Sequence, residues 1–94
     1  MTERIAVTCE PRAFDYECRV LVGEGDRATE HHVSVSRAEL KRLAPAHSEP
    51  TALVEESFRF LLEREPSNSI LRRFAITDIG RYFPEYRAEI KRRV

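Results

Sequence analysis

The chain has two cysteines and no uninterrupted apolar stretch longer than three residues, and these two scarcities remove whole classes of protein. A membrane-spanning helix needs roughly 18 or more consecutive apolar residues and a signal-peptide core roughly 7–15, so neither is expected and the cytoplasm is the default compartment. Two cysteines in 94 residues fall far short of the density by which small secreted domains compensate for a thin core, so Cys9 and Cys18 are expected to remain reduced thiols. Glycine occurs three times, and Gly23-Glu24-Gly25 precedes no helix, so there is no phosphate-cradling loop. Net charge is zero, which removes the general attraction to phosphate that marks most nucleic-acid binders. No internal repeat or low-complexity segment is present.

What is present is a balanced, foldable composition: 41% hydrophobic and 34% charged residues in one domain spanning 1–94. A chain this short buries only roughly 60–65% of its unfolded surface, so its margin is thin and pairing with another copy would add stability. Charge is unevenly spread. Residues 1–30 hold four bases against seven acids, 31–65 five against six, and 66–94 seven against three. Three parts follow: a β-rich part (1–35), a helical pair (36–65) and a basic C-terminal helical segment (66–94).

Arg4 to Cys9 reads as a first strand, ended by Glu10-Pro11. From Phe14 to Val22 the chain alternates, with Phe14, Tyr16, Cys18, Val20 and Val22 on one face. Thr29 to Val35 alternates again, with Thr29, His31, Val33 and Val35 together. A four-residue loop over 23–26 would set Val22 opposite Arg27, Val20 opposite Thr29, Cys18 opposite His31 and Tyr16 opposite Val33. Ser36-Arg37-Ala38-Glu39 is a capping box that opens a helix from Arg37 to Ala44, with Leu40 and Leu43 inward. Ser48-Glu49-Pro50 starts a second helix that runs to about Glu65, with Leu53, Val54, Ser57, Phe58, Leu61 and Leu62 as its apolar stripe. Ser67 to Phe74 suggests a helical turn, and Thr77 caps a helix through Tyr82. Ile79, Tyr82, Phe83, Tyr86 and Ile90 carry the helical spacing past Pro84, where a kink or a new helix is expected. The fold class is α+β: an antiparallel hairpin, with room for a third strand, followed by a helical pair and a C-terminal helical segment.

Cys9, Cys18, His31 and His32 are the one set with metal-ligand chemistry, and the hairpin register brings Cys18 near His31. Structural zinc sites take closely spaced ligand pairs, and eight residues separate the two cysteines, so a packed thiol and a hydrogen-bonded histidine are the expected roles. A Cys18–His31 nucleophilic dyad lacks an orienting group and an oxyanion hole. No catalytic, metal or cofactor site is therefore assigned.

Two resemblances can be drawn. Val33-Ser34-Val35-Ser36, then Arg37 to Ala44, then Pro50 to Arg64 resembles the ribbon-helix-helix DNA-binding proteins over about a third of the chain. That resemblance implies a ribbon paired across a dimer, with its polar face, here His32 and Ser34, in the major groove. The string from Glu63-Arg64-Glu65-Pro66 through Ser69-Ile70-Leu71-Arg72-Arg73-Phe74 to Tyr82-Phe83-Pro84-Glu85-Tyr86 resembles small uncharacterised bacterial proteins and bears on fold alone. The residues favour a non-catalytic protein-interaction or regulatory module that self-associates as a homodimer, through a strand edge or the second helix. Nucleic-acid binding, through the ribbon-like segment or the basic tail, is the alternative. The candidate surface is basic and aromatic: Arg72, Arg73, Tyr82, Tyr86, Lys91, Arg92 and Arg93.

Overall fold

A computed structural model describes residues 3–94. The three alternating stretches form strands β1 (Ile5–Pro11), β2 (Asp15–Val22) and β3 (Thr29–Ser36), each antiparallel to the next. Because side chains alternate across a strand, Cys18, Val20 and Val22 share the buried face with His31, Val33 and Val35. A fourth strand, β4 (Arg73–Ala75), joins β3 in parallel and completes the order β1-β2-β3-β4. A parallel neighbour requires a long crossover, and residues 37–72 supply it through α1 (Arg37–Leu43) and α2 (Thr51–Leu62). Two short helices, α3 (Ile79–Tyr82) and α4 (Tyr86–Arg93), end the chain. The expected α+β class is found, and among the described residues no helix is long and apolar enough to cross a membrane.

The β2–β3 register departs from expectation. Val22 faces Thr29, Val20 faces His31, Cys18 faces Val33 and Tyr16 faces Val35. A single 3₁₀ turn at Gly25–Arg27 lengthens the connection, and Gly23 and Gly25 make it possible by adopting φ of 91° and 63°. The slip is an even number of residues, so the buried face is unchanged. Phe14, expected on that face, lies instead in the β1–β2 turn at 87% exposure, where the Arg12 amide donates to the Asp15 carbonyl at 2.7 Å. The segment 67–74, expected as helix, gives a 3₁₀ turn (Ser67–Ser69) and then the run into β4.

Ser36 caps α1 as expected, its hydroxyl accepting the Glu39 amide at 3.0 Å. The reciprocal arm of the box is replaced: the Glu39 carboxylate takes Arg42 at 2.6 Å instead, with Arg87 at 4.0 Å. Helix α2 is the centre of the molecule. Its expected stripe is buried at Leu53, Val54, Ser57, Phe58 and Leu61 but only half-buried at Leu62, whereas Phe60, which the stripe omits, is buried. Phe60 has its own cover: edge-on rings of Tyr86 and Phe83 at 5.3 and 5.9 Å, with the Arg64 guanidinium 3.5 Å above its centroid. The one polar group on the stripe is satisfied internally, since the Ser57 hydroxyl donates to the Leu53 carbonyl at 2.7 Å and accepts from the Tyr86 hydroxyl at 2.6 Å. Burial pushes the Tyr86 phenol well above its ordinary pKa, which keeps it a donor.

Candidate functional site

Beside β4 the surface opens into a groove of about 340 Å³. Leu61 reaches it from α2. Ile70, Leu71 and Phe74 come from the segment leading through β4, and Ile79, Tyr82 and Phe83 from α3 and its end. The volume sits at the small end of ligand clefts and suits one or two side chains. Most large apolar residues of this chain are packed away, yet Leu71 is 51% and Tyr82 67% exposed on the groove's walls. Glu65, Ser69 and Asp78 supply its polar groups. Asp78 is fixed by the Ala75 amide, which donates to it at 3.0 Å, whereas the Glu65 carboxylate enters no ion pair among the described residues.

The groove exists because two consecutive histidines hold its strand. His31 is fully buried, and its Nδ1 lies 2.8 Å from the Leu71 carbonyl, which can only accept. Nδ1 therefore carries the proton, and Nε2 accepts from the Thr29 hydroxyl at 2.8 Å. Burial lowers the imidazole pKa, opposed by the bond to Leu71 and reinforced by Arg72 and His32 nearby, so the neutral ring is the folded form. Next door the His32 amide donates to the Arg72 carbonyl at 2.7 Å. The His31 ring packs 5.2 Å from Phe58, which packs 6.0 Å from Phe74 on the groove's floor.

The basic-aromatic set separates by role. Tyr86, expected at the surface, is 1% exposed and belongs to the core. Arg93 lies mostly buried between Glu63 at 2.7 Å and Glu89 at 3.2 Å, and Arg92 reaches Glu89 at 2.7 Å. Arg93 holds the Glu63 carboxyl below its usual range, and Arg92 followed by Arg93 does the same for Glu89. The basic tail thus finishes α4 and closes it onto the end of α2. Arg72, Arg73 and Lys91 remain exposed, and only Tyr82 of the set lines the groove.

The cysteine expectation is overturned: Cys9 and Cys18 face each other across β1 and β2 and are joined by a disulfide. A four-residue loop would set Cys18 opposite His31; the 3₁₀ turn at Gly25–Arg27 moves Cys18 to Val33, and the antiparallel pairing of β1 with β2 sets Cys9 opposite Cys18. With the two sulfurs bonded and His31 opposite Val20, no Cys–His dyad forms, and among the described residues no three His, Cys, Asp or Glu side chains gather as metal ligands. Strand β3 is interior, flanked by β2 and β4, so both its edges are already used within the chain. A scan against protein-family models, a search of curated proteins and a search of solved structures each return no match.

Proposed function

We propose that this chain is a non-catalytic protein-interaction module that receives an apolar side chain of a partner protein, with a basic one close by, in the groove beside β4. The observation that carries the reading is the pair Leu71 and Tyr82, large apolar side chains left in water on opposite contributions to one concave surface. Leu61, Ile70 and Phe74 offer dispersion contacts, and Glu65, which enters no ion pair among the described residues, favours a cation at the groove. Four titratable groups that depart from ordinary behaviour are engaged within the fold, His31 on Leu71, Tyr86 on Ser57, and Glu63 and Glu89 on the tail arginines, and none of them lines the groove.

The test is selection from a random decapeptide display library against the immobilised chain, repeated against Leu71→Glu. The reading expects enriched peptides with a large apolar residue within a few positions of a Lys or Arg, whose binding falls at least tenfold on Leu71→Glu and on Glu65→Lys. No enrichment, or enriched peptides that bind both variants undiminished, would refute it.

A further inference from the structure

At the opposite edge of the sheet, β1 has, among the described residues, a hydrogen-bonded neighbour on one side only. Which of its main-chain groups face outward follows from two distances. Cys9 and Cys18 have Cα atoms 4.0 Å apart, the close approach of a non-hydrogen-bonded antiparallel pair, and the Gly23 amide donates to the Arg4 carbonyl at 2.8 Å. The two observations have the same parity. Arg4, Ala6, Thr8 and Glu10 spend their main-chain groups on β2, and Ile5, Val7 and Cys9 aim theirs at the free edge. Among the described residues no turn or loop hydrogen bond uses the latter groups.

Exposed strand edges are normally blunted by lysine, proline, a bulge or an inward charge. None of these interrupts residues 5–10, and the β1–β2 register runs unbroken from Ile5↔Val22 to Pro11↔Tyr16. The inward row, Ile5, Val7 and Cys9, packs against the core yet stays only half-buried, as a row does when the next strand is missing.

We propose that β1 pairs with β1 of a second copy, antiparallel about a two-fold axis at Val7, to form a continuous eight-stranded sheet. This register sets Val7 opposite Val7 and Ile5 opposite Cys9, so every outward amide and carbonyl of the three residues finds a partner. The half-buried rows of the two copies meet and extend both cores. On the outer face Arg4 falls opposite Glu10 of the second copy, twice by symmetry, and Ala6 opposite Thr8. Arg4 and Glu10 are free to make that exchange, because their present partners, Glu24 at 3.2 Å and Arg12 at 3.5 Å, are exposed ion pairs of little strength. A register centred on Thr8 would instead set Arg4 against Arg12 and bring Pro11, which has no amide hydrogen, opposite Ile5. The stripe of α2 is consumed inside the protomer, so of the second helix and a strand edge, the two surfaces expected to self-associate, the strand edge is the one left.

This inference stands apart from the groove, and its test does not use the groove. Multi-angle light scattering on the full chain from micromolar to several hundred micromolar should give twice the protomer mass at the upper end. Hydrogen exchange at the same concentrations should show the amides of Ile5, Val7 and Cys9 protected, with protection lost on dilution. Arg4→Glu should weaken the dimer about tenfold, and Arg4→Glu with Glu10→Arg should restore it, since the pair is only reversed. Both are surface changes whose thermal melts should match the parent. A monomer at every concentration, or a dimer in which these three amides exchange freely, overturns the proposal. Protected amides with no response to the charge reversal overturn the Val7 register.

Discussion

The two edges of the sheet are built in opposite ways. The β1 edge is seven residues long, antiparallel to its neighbour and tied to it covalently through Cys9–Cys18. The β4 edge is three residues long, parallel, and reached only after a crossover of two helices. Main-chain pairing is enough to place the first. The second depends on side chains: the His31 ring on the Leu71 carbonyl, Asp78 on the Ala75 amide, and the ring sequence His31–Phe58–Phe74. Regularity leaves an edge open to another strand, whereas irregularity leaves a concavity with exposed side chains. Each edge offers a surface of a different kind for that reason.

The largest expected effect is on what the two edges share. Phe58 is fully buried and links β3 to β4 through its neighbours, so Phe58→Ala should cost about 3–5 kcal/mol in urea unfolding, and Leu61→Ala about 2–5 kcal/mol. An unchanged midpoint in both variants would remove α2 from the centre of the core.

Next comes the covalent tie on the β1 side. Replacing both cysteines with alanine opens a loop of about ten residues and should lower stability by roughly 2–3 kcal/mol, with faster amide exchange in β1 and β2 and little change in β4. Uniform loss of protection across all four strands would mean that the edges are not independent. Mass analysis after alkylation without reductant should find neither thiol modified.

On the β4 side the corresponding tie is acid-sensitive. His31 has a folded-state pKa below its ordinary 6.5, so the unfolded chain takes up a proton that the folded chain refuses. Stability should be level above that value and fall as pH drops from about 6.5 toward the lowered folded pKa. A second fall belongs below the ordinary 4.5 of the carboxyls, where Glu63 and Glu89, held low by Arg93 and Arg92, lose the pairs that close α4. Denaturation midpoints measured from pH 8 to 3 should resolve the first fall, and His31→Gln should abolish it while leaving the second. A first fall that persists in His31→Gln would assign it elsewhere.

The smallest effect is expected at the groove walls. Leu71→Ala and Tyr82→Ala remove side chains already largely in water, so each should shift stability by no more than about 0.5 kcal/mol in a thermal melt. A larger loss would make these residues structural rather than available.

The difference between the edges also governs how much of the molecule could be read from residues alone. Strong periodicity carried through: the alternating faces of β2 and β3, the Ser36 cap on α1 and the stripe of α2 all appear where local pattern puts them. Lengths set by backbone geometry did not, since one 3₁₀ turn moved the β2–β3 register by two residues without altering any pattern of polarity. Strand β4 was illegible for a related reason. Arg73-Phe74-Ala75 is too short to display alternation, and its place is fixed by His31 and His32, some forty positions earlier. The groove was half visible, because Tyr82 stood in the basic-aromatic set while Leu71, Glu65 and Asp78 carried no signal of their own. Tyr86 and Arg93 share that set's composition but face inward, a distinction decided by the packing of α4 on Phe60.

The crossover from β3 to β4 also sets an order of events during folding. Strands β1 to β3 are sequential neighbours joined by short turns and can pair early, whereas β4 must wait until α1 and α2 have docked and a long loop has closed. The groove therefore forms after the antiparallel strands, and during biosynthesis only once α3 has emerged. An incomplete or nicked chain that still carries the antiparallel strands would expose the long β1 edge while lacking the concavity altogether. A partner bound in the groove would thus report that the chain is present through α3, and a strand paired at β1 would not.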